Sequence, residues 1–270
     1  MAFYRHYYPM LETNNIKTLF DQCVVKYNHI DFIYSDPISV PHRFNNPQDI
    51  EIAGFFAAIF AWGQRATIIN KANEVMHFMN DQPYDFIVHH SEEDLKPMAK
   101  FVHRTFNGTD LLYFIKKLRD HYLEFDSLED AFLIGQSTAY FDMYQSLSNF
   151  HQYFTHNDLC LPRTRKHIAN PQKGSTCKRL LMYLRWMVRK DDKGVDFGLW
   201  RRIPLHSLMI PYDLHVDKVA RSLGIITRSQ SDWKTVVELT DFCKTLDTND
   251  PVQYDFALFG LGVNKDNILL

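Results

Sequence analysis

Hydrophobic positions recur along this chain with the period of a helix, and helix-start signals precede most of the runs. Asn46-Pro47 sets a capping side chain ahead of a proline at the first helical position, and IEIAGFFAAIFAW follows. Residues 66 to 80 are expected as a second helix. Asn107 or Thr109 opens DLLYFIKKLRDHYLEF, where Leu112, Phe114 or Ile115, and Leu118 repeat at helical spacing. Ser127 with Asp130 three residues on reads as a short capping box. Residues 141 to 155 form an aromatic-rich helix, and Ser175 is expected to cap TCKRLLMYLRWMVR. Asp213 opens LHVDKVARSL, and Gly224 suits its left-handed end. Ser231 opens WKTVVELTDFCKTL, and Asp250-Pro251 opens VQYDFALFGLGV. No sustained period-two alternation is present, so a sizeable sheet is not expected. The fold class is therefore all-α and compact, with residues 191 to 212 as the longest irregular stretch.

Composition narrows the function classes. At 270 residues and 46% hydrophobic, the chain suits one large domain or two intimately packed lobes. Ten glycines are few, and neither GxGxxG nor GxxxxGK[ST] occurs, which argues against Rossmann or Walker phosphate loops. Cys23, Cys160, Cys177 and Cys243 lack CxxC or cluster spacing, so reduced, mostly buried thiols in a cytoplasmic protein are expected. His89-His90 and His151/His156 match no zinc spacing, so neither metal nor other cofactor is expected. The N-terminus lacks a signal-peptide core, and the longest apolar run, residues 52 to 62, is too short for a bilayer.

Net charge is −2, but it is unevenly spread. Residues 160 to 205 hold twelve Lys or Arg against three Asp, an excess of nine positive charges, which leaves −11 elsewhere. This segment is expected either as a phosphate-binding face or as a solvated helix face neutralised by neighbours in space. Within it, Arg185 and Arg189 share a helix face and suit phosphate or Asp191, Asp192 and Asp196 equally.

Two features carry chemistry. Pro171-Gln-Lys-Gly-Ser-Thr-Cys-Lys178 is a tight turn entering a helix. Exposed N–H groups at Gly174, Ser175 and Thr176, with the positive end of the dipole, favour an anion there. Lys173, Lys178 and Arg179 add charge. The bland alternative is a turn that binds nothing. The second feature is Asp213, a favoured cap residue at a position where the dipole supports a negative charge. An ionised carboxylate beside a sugar can stabilise an oxocarbenium ion or activate water, and its bland role is capping alone. Among the tryptophans, Trp62 and Trp200 are candidates for stacking on bases, although tryptophans on helical faces are more often core. Arg104 in HRTFNG is expected to be structural, and His215 structural or supportive of Asp213.

PYDLHVDKVARSLG resembles the [VL]-D-T-H-V-x-R-V-x-x-R-L-G stretch of the helix–hairpin–helix DNA glycosylases, the endonuclease III superfamily. IEIAGFFAAIFAWGQRATIINKA is similar to that superfamily's early helix and the turn that offers a Gln to the DNA stack. CKRLLMYLRWMVRKDDKGVDFGLW and HRTFNGTDLLYFIKKLR look like a bacterial family of uncharacterised proteins distantly related to these glycosylases, and together the segments cover most of the chain. The resemblance implies a two-lobed helical fold with a central cleft, lobe one approximately 47–165 and lobe two approximately 1–46 plus 166–270. It implies Asp213 as the catalytic Asp, Gln64 as the intercalating residue beside Arg65, and Gly174 as the second hairpin glycine. Gln172 stands where that pattern has its first glycine, and Thr176 stands where it has its Schiff-base Lys. Lys178 lies two residues later, a rotation of about 200° if the segment is helical. The four-Cys iron–sulfur loop is absent.

The activity implied is DNA base excision: hydrolysis of an N-glycosidic bond to a damaged base, an oxidised purine by preference, with a lyase step if Lys178 acts as the amine. The partner implied is double-stranded DNA bearing that damage, in the nucleoid, with no obligate protein partner and no membrane. The alternatives are a non-catalytic nucleic-acid-binding protein that retains the fold, and a helical scaffold for proteins.

Overall fold

The computed structural model describes residues 13–137 and 140–264. The ends that the sequence assigns to the second lobe, 1–12 and 265–270, lie outside the described residues. The order is α1 (Thr13–Tyr27), α2 (Pro47–Ile59), α3 (Arg65–Phe78), α4 (Pro83–His89) and α5 (Glu92–Leu95). A hairpin of β1 (Val102–His103) and β2 (Phe106–Asn107) comes next. Then follow α6 (Gly108–Tyr122), α7 (Glu129–Leu133), α8 (Met143–Thr155), α9 (Pro162–Arg165), α10 (Lys178–Val188), α11 (Leu214–Ser222), α12 (Trp233–Leu246) and α13 (Tyr254–Asn264). The two-residue strands are the only sheet among the described residues, so the fold is all-α. No helix among the described residues is long and apolar enough to cross a membrane.

The helix starts show which sequence signals decide. Asn46 and Asp213 cap α2 and α11 as expected. Asn107, not Thr109, caps α6, because its side chain and that of Asp110 bond each other's backbone N–H. Ser127 does not share a capping box with Asp130: its hydroxyl is taken by Glu51, and Asp130 turns to Arg202. Asp232, not Ser231, caps α12. A single 3₁₀ turn precedes α13, and Asp250 is bonded to Arg189 instead of capping it.

Two contacts position the site. Helix α2 is buried along nearly its whole length and lies against α10. Gly54 permits that approach, since a Cβ there would sit 2.9 Å from Met187 Cε. Helix α13 packs between α1 and α11. At Gly262 a Cβ would stand 2.8 Å from the His215 carbonyl oxygen, so only a glycine lets α13 approach α11 so closely. The ends of α10, α11 and α13 thereby face one cleft.

Candidate functional site: an acid–lysine cleft

The sequence reading placed the start of α10 two residues too early, and the correction matters most at Lys178. After the 3₁₀ turn Pro171–Lys173, Gly174 adopts φ 75°. Residues 175–177 are not helical, and Cys177 takes a left-handed φ of 52°. The Ser175 side chain accepts from the Cys177 N–H (3.1 Å) instead of capping a helix. The helix therefore begins at Lys178 itself. The 200° rotation expected on a helix does not arise, because the two extra residues are spent in irregular backbone.

Asp213 uses its two oxygens differently. Oδ1 accepts from the N–H groups of His215 (2.8 Å) and Val216 (3.1 Å), closing the N-terminus of α11. Oδ2 lies 3.9 Å from Lys178 Nζ, and the two side chains are 20% and 25% exposed. Both line a cleft of about 180 Å³ with Arg65, His215, Phe32, Phe259 and Trp186. The Arg65 guanidinium lies over the Phe259 ring (4.8 Å). His215 is held by the Gly262 carbonyl through Nδ1 (3.1 Å), which fixes it beside Asp213. The indole N–H of Trp186, buried in the cleft floor, has no partner among the described residues.

Two floor residues were missed by sequence reasoning, Asp36 and Asp255, and Arg185, expected to meet phosphate or aspartate, joins them there. Arg185 bonds Asp255 and, at 3.3 Å, Asp196, while its guanidinium covers the Phe256 ring (4.4 Å). Burial pushes the Asp255 carboxyl up to about 6, against the pull of Arg185 and with a further push from the Asp213 charge. Burial likewise raises Asp36, whose carboxylate accepts from the Ile38 N–H (3.1 Å). Only the Asp-Pro dipeptides at 36–37 and 250–251 hinted at these segments, and they signal turns rather than a site.

The basic segment is neutralised in part by acids brought to it in space. Arg189 is held by Asp191, Asp196 and Asp250, Arg202 by Glu129 and Asp130, Arg163 by Asp110, and Lys193 by Asp192. Arg185 and Arg189 thus serve aspartates, not phosphate. Arg179, expected at DNA, is turned inward: it donates to the carbonyls of Ile59 and His167, and burial lowers it to about 10. Arg165, Lys166, Lys173, Lys190 and Arg201 remain exposed without an ion pair among the described residues.

The stacking candidates separate. Trp200 is 3% exposed and donates to Glu51 Oε1 (2.6 Å), so it belongs to the core and not to a base pocket. Trp62 is half-buried between the Arg104 guanidinium (5.1 Å) and that of Arg179 (5.7 Å). Gln64 is exposed at the start of α3, beside Arg65 and outside the cleft lining. Gly174 is exposed, and Ser175 and Thr176 are half-buried beyond it. All four cysteines are buried.

The structure thus gathers Asp213, Lys178 and Arg65 in one cleft, with the 171–177 turn leading directly into its lysine. No curated protein and no solved structure matches the chain. Residues 36–264, which span the cleft from Asp36 to Phe259, match the family described as Protein of unknown function (DUF2400), and the chain belongs to that family.

Proposed function

We propose that the protein is a DNA glycosylase-like enzyme that releases a damaged base by cleaving its N-glycosidic bond. The observation that carries this reading is the Asp213–Lys178 pair at 3.9 Å in a cleft whose lysine directly follows the 171–177 turn. Neither side chain is sealed in the interior, and Asp213 Oδ2 and Lys178 Nζ make no hydrogen bond among the described residues. The other supports are the resemblance of the Asp213 segment to the glycosylase motif and the exposed Lys173 and Gly174 beside it. On this reading α2 to α9 form one lobe, α1 and α10 to α13 the other, and the acid–lysine cleft lies between them.

The geometry fits the following chemistry. An extruded nucleotide places its sugar beside Asp213 and its base toward Phe259, Trp186 and Asp255. As the C1′–N bond breaks, its electron pair leaves with the base, and the Asp213 carboxylate stabilises the cationic sugar. Water attacks C1′ and gives its proton to Asp213, completing hydrolysis. If the Lys178 amine attacks C1′ instead, the C1′–N bond to the base breaks, the attacking nitrogen passes a proton to Asp213, and a covalent sugar–enzyme intermediate forms from which a lyase step follows. The preferred substrate is an oxidised purine, since the cleft offers both aromatic faces and carboxylates that accept ring N–H groups.

A panel of duplexes, each with one damaged base, tests this by strand cleavage after alkali. Release from at least one lesion is expected. Borohydride reduction during turnover decides between the two attacks: a trapped adduct that Lys178→Ala abolishes assigns the amine, and no adduct assigns water. Binding without release from any lesion would move the protein to the class of non-catalytic nucleic-acid binders.

A further inference from the structure

The β1–β2 hairpin carries a feature that the cleft does not use. His103 pairs with Phe106, so Arg104 and Thr105 form the turn. Arg104 adopts φ 55°, a region where a residue with a Cβ is strained and where tight hairpins usually place Gly, Asn or Asp. The side chain is also unusual. It is exposed, and it makes no hydrogen bond or ion pair among the described residues. Its guanidinium is nevertheless fixed, lying over the Trp62 ring at 5.1 Å. It also lies so close to Gly63 that a Cβ there would stand 2.7 Å from Arg104 Nη1. Gly63 and Trp62 together form a shelf for it, immediately before Gln64.

The surroundings are cationic. His103 is lowered by burial and further by Arg104, Lys71 and Arg179, and it stays neutral while bonded to the Phe60 carbonyl. Arg163 donates to the Thr105 carbonyl (2.8 Å), tying the hairpin turn to α9. A basic cluster therefore joins Arg104 on the hairpin turn to Arg163 and Arg165 on α9, with Arg163 paired to Asp110. It draws on two separate segments of sequence. An arginine positioned over an indole, with no hydrogen bond or ion pair of its own, keeps its N–H donors available for two acceptors at little further entropic cost.

We propose that Arg104 is a nucleic-acid contact that extends the binding face from the 171–174 turn to the Gln64 turn, docking a pair of acceptor oxygens or nitrogens on the duplex. This rests on the glycosylase-like reading for the identity of the partner. The acceptors can be the non-bridging oxygens of a phosphate or the O6/N7 edge of a guanine.

The test is a titration of a duplex containing one tetrahydrofuran abasic site, which needs no turnover, at several salt concentrations. Arg104→Gly suits the left-handed turn, so its melting temperature should equal or exceed that of wild type. Its affinity should fall about tenfold, with the salt slope reduced by about one. Arg104→Lys separates the sources: recovered affinity for every sequence assigns phosphate, and failure to recover with a new dependence on the opposite base assigns a guanine edge. If wild type binds and Arg104→Gly binds equally well, the inference is wrong and the glycosylase-like reading stands. If wild type does not bind at low salt, both fall. Should Arg104→Gly melt early, Arg104→Asn, which also tolerates left-handed backbone, carries the same comparison. Loss of stability with unchanged affinity in both variants would make Arg104 purely structural.

Discussion

Glu51 and Asp213 are both isolated acids on helices, yet the protein treats them in opposite ways. Glu51 is buried on α2, and four donors surround it: Tyr122 Oη (2.8 Å), Trp200 Nε1 (2.6 Å), the Leu128 N–H (2.9 Å) and the Ser127 hydroxyl. Both oxygens are committed, so Glu51 joins α2, the end of α6 and the Trp200 strand of irregular chain. Asp213 commits one oxygen to its helix and leaves the other facing Lys178 across an open cleft. A satisfied carboxylate holds a fold together. One that is half satisfied, accessible and beside an amine can act on something else.

Substitution at the two acids should expose this difference. Glu51→Ala leaves four donors without an acceptor in the interior. A loss on the order of 3–5 kcal/mol is expected from chemical denaturation. A loss below about 1 kcal/mol would mean that the core re-pairs these donors freely. Asp213→Ala removes only a cap, and about 1 kcal/mol is expected. Asp213→Asn should be within a few tenths of wild type, because Asn caps equally well. If Asp213→Asn were as damaging as Glu51→Ala, the contrast between architecture and cleft would collapse.

The cleft floor adds a pH-dependent term. The Asp255 carboxyl titrates near 6 when folded, above its ordinary value of 3.8. A raised acid binds its proton more tightly in the folded state. Its contribution to stability is therefore complete below about pH 3.8 and is lost as pH rises through about 6. Asp255→Asn cannot ionise, so its melting temperature should gain on that of wild type as pH increases from 4 to 7. A difference that stays constant over this range would show that Arg185 keeps Asp255 ionised throughout. The smallest effect is expected at the turn. Gly174 has φ 75° and open space around it, so Gly174→Ala meets no clash and should cost only about 1 kcal/mol of backbone strain. A much larger loss would show that the turn is packed in a way its surroundings do not reveal.

The all-α class and most helix starts were legible because caps and apolar periodicity are local signals. Asn46, Asn107 and Asp213 each sit within three residues of the groups they satisfy. The start of α10 was not legible, because a left-handed Cys177 carries no sequence mark. Charge was the least readable property. The excess of nine in residues 160 to 205 left a phosphate face and a neutralised face both open, and four of its arginines are matched by acids drawn from positions as distant as Asp110 and Asp255. Asp213 was legible through its motif, whereas Asp255 joins it only through the packing of α13 against α11, and Asp36 through the packing of its 3₁₀ turn against α2 and α3.

The most direct measurement compares wild type with Asp213→Asn on one responsive damaged duplex, recording affinity and single-turnover base release together. The account predicts equal folding, affinity within about threefold, and release slowed at least a hundredfold, the scale of losing a charge that acts only in the transition state. Equal release by the two proteins would contradict it.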